Sequence, residues 1–266
     1  MSGAAVRPRR ASGPWLMAPT LMALLAMWQL VASLPGPGRA VPGIADVVGA
    51  FVTLFTVGYP QGIPFYTHLA VSLARIVAGV ALGAAGALII GFPIGWFPSL
   101  HALARPVITV ARGIPAVALI PLAIAWLGID ETSKVALILY ATFWIMLTHV
   151  VESVRGVDAD LVRAGQAFGL TSFHLFRWVV LPAVFPRLLT GLRLAIGIGF
   201  AVVVTAEMVG TVQGMGAMLM DARRFYRADV VIVGMMLIGV VGFVLSAGLA
   251  RIETRWTRWA AVADNR

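Results

Sequence analysis

Apolar residues run in long blocks along this 266-residue chain, and polar residues gather between the blocks. A helix of about 20 residues crosses the ~30 Å hydrocarbon layer of a bilayer. On that measure the pattern predicts six crossings: Pro14–Leu34, His68–Phe97, Val107–Leu127, Lys134–Glu152, Pro186–Thr211 and Asp229–Ala250. Val230 to Ala250 holds no charged residue, nor does Ile76 to Ala104. The first block follows Arg7, Arg9 and Arg10, as a leader would. It is long, however, and ends in Leu34-Pro35-Gly36, a poor cleavage sequence, so it reads as a crossing.

Two segments between blocks are long enough to fold. Pro42–Val57 reads as a short outer helix capped by Asp46, with Val47, Ala50, Phe51 and Leu54 on one face. Ser153–Phe185 reads as two short amphipathic helices meeting at a glycine. Asp158 or Asp160 caps the first, whose Leu161, Ala164, Gly165 and Phe168 share a face, and Gly169 stops it. Thr171 or Ser172 caps the second, with Phe173, Phe176 and Val180 aligned and Pro182 following. Helices this short are marginal alone in water. Their apolar faces need a partner, either their own bundle or a groove in a separate cytoplasmic protein.

Composition removes the soluble alternatives. Hydrophobic residues are 60 % and charged residues 12 %, against roughly 45–50 % and 25 % in soluble domains. Without cysteine there are no disulfides, zinc–cysteine sites, iron–sulfur ligands or catalytic thiols. The net charge of +9 comes from nineteen Arg and one Lys, mostly between apolar blocks, so it speaks for membrane orientation rather than nucleic acid. Six crossings put both termini on one side. With the termini inside, fourteen of the twenty cations fall on inner segments. The outer Arg223, Arg224 and Arg227 are the main exception.

The candidate chemistry is sparse. Gly113, Pro115 and Pro121 interrupt the third crossing. The break is either a packing kink or a pathway lining whose freed N–H groups suit a small anion. Glu207 is the one acidic residue well inside an apolar block, a gate residue or a structural hydrogen-bond partner. Arg112 and Arg193 lie near the inner ends of crossings three and five, either snorkelling to head groups or drawing an anion inward. Gly79–Gly83, Gly191–Ala195–Gly199 and Gly210–Gly214 have the spacing that lets helices approach closely. The one lysine, Lys134, lies on the outer side, and no Gly-rich phosphate loop is present. The four histidines make no metal spacing, and no hydrolase motif is found. The chain therefore reads as a membrane transport protein rather than an enzyme. A self-sufficient secondary transporter or channel remains the alternative to a partner-driven one.

Arg163-Ala164-Gly165, then Gly169, then Val179, Leu181 and Pro182, resembles the "EAA" loop of inner-membrane subunits of binding-protein-dependent ABC importers. That pattern is Glu-Ala-Ala, three residues, Gly, nine residues, Ile, one residue, Leu-Pro. The spacing agrees throughout, while Arg163 stands for Glu and Gly165 for the second Ala. Arg112-Gly113-Ile114-Pro115, Ala118-Leu119-Ile120-Pro121, Thr190-Gly191-Leu192-Arg193 and Ala206-Glu207-Met208 resemble the sulfonate, taurine and nitrate branch. The resemblance implies an all-α membrane protein with the type I (MetI-like) permease fold over 14–259, a cytoplasmic coupling loop at 153–185, and cytoplasmic tails at 1–13 and 260–266. It implies a second permease copy, two cytoplasmic ABC ATPase subunits and an extracytoplasmic binding protein in a bacterial inner membrane. ATP and Mg would be bound by the partners, with no cofactor on this chain. In that setting Asp160, Leu161, Arg163, Ala164, Gly165, Phe168, Gly169, Leu181 and Pro182 belong to the ATPase-coupling loop. Arg112, Pro115, Pro121, Arg193 and Glu207 are the pathway or gate candidates for a small anion.

Overall fold

A computed structural model describes residues 17–34 and 41–257, and within them every regular element is helical. In order these are α1 (Met17–Ser33), α2 (Ile44–Thr56), α3 (Phe65–Trp96), α4 (Pro98–Gly113), α5 (Ile120–Leu127) and α6 (Glu131–Arg155). There follow α7 (Ala159–Ala167), α8 (Ser172–Leu175), α9 (Leu181–Glu207), α10 (Met215–Arg224) and α11 (Ala228–Trp256). The tails expected at 1–13 and 260–266 lie outside the described residues.

Four helical runs are long and apolar enough to cross a membrane: α3, α6, the run Ser172–Glu207 that ends in α9, and α11. A fifth span exists if α4 and the segment 116–127 are taken together, but they meet at a bend of 79°. The six crossings read from hydropathy are thus met by four to five. Helix α1 has 17 described residues, about 25 Å at 1.5 Å per residue, short of the hydrocarbon thickness. The third crossing departs most. It starts at Pro98 rather than Val107, because Phe97 is extended and Pro98 opens a new helix at its first turn.

Helices α3, α6 and α9 form the core. Gly79, Gly83, Ala87, Gly91 and Gly95 recur every four residues and make one stripe along α3. A Cβ added at Gly79 would meet Ile138, at Gly83 Thr142, at Gly91 Val150 and at Gly95 Val154. Residue i of α3 therefore faces residue i+59 of α6 along the whole contact. A constant offset means two parallel helices in one register. Lipid supplies no hydrophobic drive between helices, so this close approach and the dispersion it gains hold the pair. Gly191 of α9 presses on His149, and Gly199 on Val80, Ile138 and Thr142. The third expected small-residue pair differs: Gly210 and Gly214 sit in a loop at φ +67° and +134°, not on a helix face.

Helix α2 is capped by geometry other than the one expected. Gly43 is its N-cap, and Asp46, three residues on, accepts the Gly43 N–H at 3.0 Å. Ala50 and Leu54 are buried, whereas Phe51 faces out. The buried pair packs with Phe65, Met215, Met218, Ala222, Val230 and Val233. Arg227, in the outer basic cluster, is paired with Asp229 at 2.8 Å and lies 5.7 Å from the Tyr59 ring. The hydrogen bond to Asp229 raises its pKa.

A buried charge network pins the end of the core where α6 begins and α9 ends. Glu207, the last residue of α9, is fully buried. The Ser72 hydroxyl donates to its carboxylate from 2.7 and 2.8 Å, Arg75 Nη1 donates at 2.7 Å, and the Gly216 N–H at 3.0 Å. Arg75 also donates to both Glu131 oxygens at 2.5 Å and to the Gln213 carbonyl at 2.8 Å. Ser72 Oγ accepts the Met215 N–H at 3.0 Å, and His68 Nδ1 accepts the Gly214 N–H at 3.1 Å. With Nδ1 accepting, the His68 proton sits on Nε2, 3.0 Å from the Tyr59 carbonyl. The loop 208–214 is thus moulded around the Glu207 carboxylate. A Cβ at Gly214 would lie 2.4 Å from that carboxylate carbon.

Two sets of substitutions check this packing. Gly83→Val places carbon where Thr142 Oγ1 is 2.2 Å and the Leu139 carbonyl 2.9 Å away, and should destabilise by about 1–3 kcal/mol or more. Gly197→Ala meets nothing within 4 Å and should be neutral or stabilising by about 0.5–1 kcal/mol. Thermal unfolding of the purified protein in detergent should order Gly197→Ala at or above wild type and Gly83→Val well below it. In the network, Glu207→Leu strands the Arg75, Ser72 and Gly216 donors and should cost about 3–5 kcal/mol. Glu207→Gln keeps one acceptor oxygen but turns an amide donor on another donor, costing about 1–3 kcal/mol. A Leu variant as stable as wild type would show that the network holds nothing.

Candidate functional site

The segment between α6 and α9 forms a small knob. Asp158 caps α7, its side chain accepting the Asp160 N–H at 2.8 Å. The helix ends at Gly169, where φ is +77°. The Leu170 N–H reaches the Gly165 carbonyl at 3.2 Å and the Gly169 N–H the Gln166 carbonyl at 2.9 Å, a Schellman stop. Thr171 then opens α8. Phe176–Val180 widens into a π turn and runs without interruption into α9, so Pro182 sits in the first turn of a continuing helix rather than after a stop.

The expected apolar face of α7 is only touched by its own bundle. Gly165 is buried, since Leu175 stands 2.5 Å from where its Cβ would be. That neighbour is the mobile end of a side chain, so an alanine, as in the related pattern, is accommodated by a small shift of Leu175. Leu161 and Phe168 are exposed, Phe168 to 87 %, and Ala164 is exposed beside them. On the second helix Leu175 and Val180 are buried and Phe173 faces solvent, which corrects the alignment read from spacing. Arg163, in place of the usual acid, pairs with Asp160 one turn back, both in solvent. Leu181 is half-buried and Pro182 exposed.

The pathway candidates separate into two groups. Glu207 is saturated by the network above. Arg193 is paired with Glu253 of α11 at 2.9 Å, and Thr190 donates to the same carboxylate at 2.5 Å. Both residues join helices. Pro121 stands exposed in the first turn of α5.

Arg112 and Pro115 meet at a break in the helix. Ile114 and Pro115 are extended between α4 and the 3-10 turn Ala116–Leu119. The Tyr140 hydroxyl donates to the Ala111 carbonyl at 2.8 Å, satisfying one acceptor that the break exposes. A cavity of about 440 Å³ opens here against α6 and α9, with Tyr140, Trp144 and Thr205 on its walls. A second cavity of about 370 Å³ follows along α4 and α6, and Arg112 lines both. Arg112 lies at the far end of α4 from Pro98, beside the break. It is fourteen residues beyond Pro98, about 21 Å along the helix. It lies level with Trp144, near the middle of α6. Among the described residues its guanidinium has no hydrogen-bond or ion-pair partner. His101 and Arg105, which line the second cavity, precede the apolar block at Val107 and so carry no hydropathy signal, although α4 begins at Pro98.

Comparison with known proteins agrees with this arrangement. Residues 79–258 match the family described as binding-protein-dependent transport system inner membrane component. The taurine transport system permease protein TauC of Escherichia coli is 32 % identical over 90 % of this chain and 88 % of its own length. The putative aliphatic sulfonates transport permease protein SsuC of the same organism is 32 % identical over 92 % and 91 %. The nitrate import permease protein NrtB of Synechocystis is 26 % identical over 95 % and 96 %. Among solved structures, the inward-facing MetNI methionine ABC transporter aligns with TM-score 0.59 at 18 % identity, over 70 % of this chain and 95 % of that one. An amino acid ABC transporter aligns with TM-score 0.61 at 16 % identity, over 79 % and 96 %. The exposed knob, the broken span and these matches together place the chain in the family of inner-membrane permease subunits of binding-protein-dependent ABC importers.

Proposed function

We propose that two copies of this chain enclose a translocation pathway for a small organic or inorganic anion of the taurine, sulfonate or nitrate kind. An extracytoplasmic binding protein delivers the anion, and two cytoplasmic ATPase subunits, which carry ATP and Mg, drive the cycle. One observation carries the anion reading: Arg112, without a partner among the described residues, stands beside the break in an apolar span, on the wall shared by two cavities. A guanidinium there is tolerable where it faces water or an anion.

The coupling reading rests on the knob. Leu161 and Phe168 offer an unused apolar patch at the end of a rigid turn, suited to insertion in a groove of a partner. The second helix of the knob runs unbroken from Ser172 into α9, and Leu175 packs α7 onto it at Gly165, so a push on α7 is passed to the core. Six crossings with both termini in the cytoplasm follow if α1 completes its span beside α2, to which Trp28 and Gln29 tie it. A self-powered transporter is disfavoured because Glu207, the intramembrane carboxylate, is neutralised by Arg75.

Two variants test the two halves separately. Phe168→Arg should abolish co-purification of the ATPase subunits while leaving the permease folded. Arg112→Gln should keep the ATPase bound and ATP hydrolysis intact but lower anion uptake in proteoliposomes at least tenfold. A stoichiometric ATPase on Phe168→Arg would overturn the coupling role, and normal uptake by Arg112→Gln the pathway role.

A further inference from the structure

The second cavity extends this reading of Arg112 and rests on it. His101, Arg105, Thr109 and Arg112 fall at i, i+4, i+8 and i+11 of α4 and so share one face. That face looks across the cavity at Thr148 and Glu152 of α6. His101 is near the start of α4 and Arg112 near its end, so the row runs the length of the helix, from the break toward the end that adjoins α3. Arg105 and Arg112 are seven residues apart, about 10.5 Å along the helix. Among the described residues neither guanidinium has a hydrogen-bond partner. The two cavities differ in character: the one at the break has mostly apolar and aromatic walls, whereas this one adds Arg105, His101, two threonines and Glu152 to the aliphatic Ile108 and Val151.

We infer that the α4–α6 groove is a second oxyanion site, at the cytoplasmic end of the pathway, built from Arg105 and Arg112; Thr109 and Thr148 stand on its walls, their hydroxyls donating to the Arg105 and Trp144 carbonyls at 2.9 Å. An oxyanion leaving the apolar cavity at Arg112 passes to Arg105 without crossing uncompensated apolar wall. Glu152 sits at the inner end of the row and competes for the same guanidinium groups. The site therefore holds its ligand weakly and lets it go toward the cytoplasm. The ligand class is a sulfonate, phosphate or nitrate oxyanion, supplied either by the transported solute or by the phosphate of a lipid head group.

The absence of cysteine from the chain makes the test clean. Thr109→Cys and Thr148→Cys are introduced singly into the full-length permease in nanodiscs. Labelling rates are measured with an anionic sulfonatoethyl and a cationic trimethylammonium-ethyl methanethiosulfonate, each relative to a free thiol. Both positions should favour the anionic reagent by about tenfold. Adding Arg105→Gln should remove most of that preference. In phosphatidylcholine discs, protection by ethanesulfonate or nitrate would identify the solute as occupant. Preference lost in phosphatidylglycerol discs, without protection by soluble anions, would identify the head group. Thr205→Cys, in the first cavity, serves as the separate control. If it is not labelled from water, the pathway reading itself fails. If it is labelled but Thr109→Cys and Thr148→Cys show no anionic preference, or Arg105→Gln leaves the preference unchanged, the second site is refuted and the pathway stands.

Discussion

The register between α3 and α6 is the constraint on which the rest depends. Four glycines and one alanine, each four residues apart, bring the two backbones together at a fixed offset over about four and a half turns. Dispersion between closely packed backbones is short-ranged, so it penalises sliding or separation of the pair. Gly191, Ala195 and Gly199 add α9 to the same block from a second side. What results is a three-helix body able to carry force along its length, since packed interfaces shift between discrete states rather than deforming smoothly.

Each end of that body is fastened differently. At the outer end, Arg75 bridges α3 to Glu131 of α6 and Glu207 of α9, and the same carboxylate holds the loop before α10. A buried ion pair gives little net stability over apolar packing, but breaking it is costly, so it fixes position more than it adds free energy. At the inner end, a π turn joins the knob to α9 while the apolar patch at Leu161 and Phe168 is left uncovered. One end is closed by its own charges and the other is open to a partner. The polar row along α4 lies on the flank between them.

Much of this was legible in the sequence. Long apolar blocks located α3, α6, α9 and α11, because in lipid the backbone must satisfy itself within each helix. Asp158, Gly169 and Thr171 marked the knob, since caps and left-handed stops are local properties of a few residues. Gly113 and Pro115 mark the break in the third crossing, since proline removes a helical donor, but its angle of 79° is beyond a pattern in which both arms are apolar. Hydropathy also does not show that α4 starts at Pro98, which puts His101 and Arg105 on the same helix as Arg112. Glu207 stood out as an anomaly, but its partners Ser72 and Arg75 lie more than 130 residues away, beyond any spacing rule. Phe173 was assigned to the wrong face because the π turn shifts the helical phase after Leu175.

Rigid transmission from knob to outer end is tested most directly by distances within and between copies during ATP turnover. Spin labels at Gln166→Cys on α7 and Thr132→Cys at the outer end of α6 report the length of one core. A label at Leu103→Cys reports the separation between the two α4 helices in the assembled importer. Rigid coupling predicts that the intrachain distance stays within about 2 Å on adding ATP while the inter-copy distance changes by more. An intrachain distance that changes while the two copies keep their separation would contradict it.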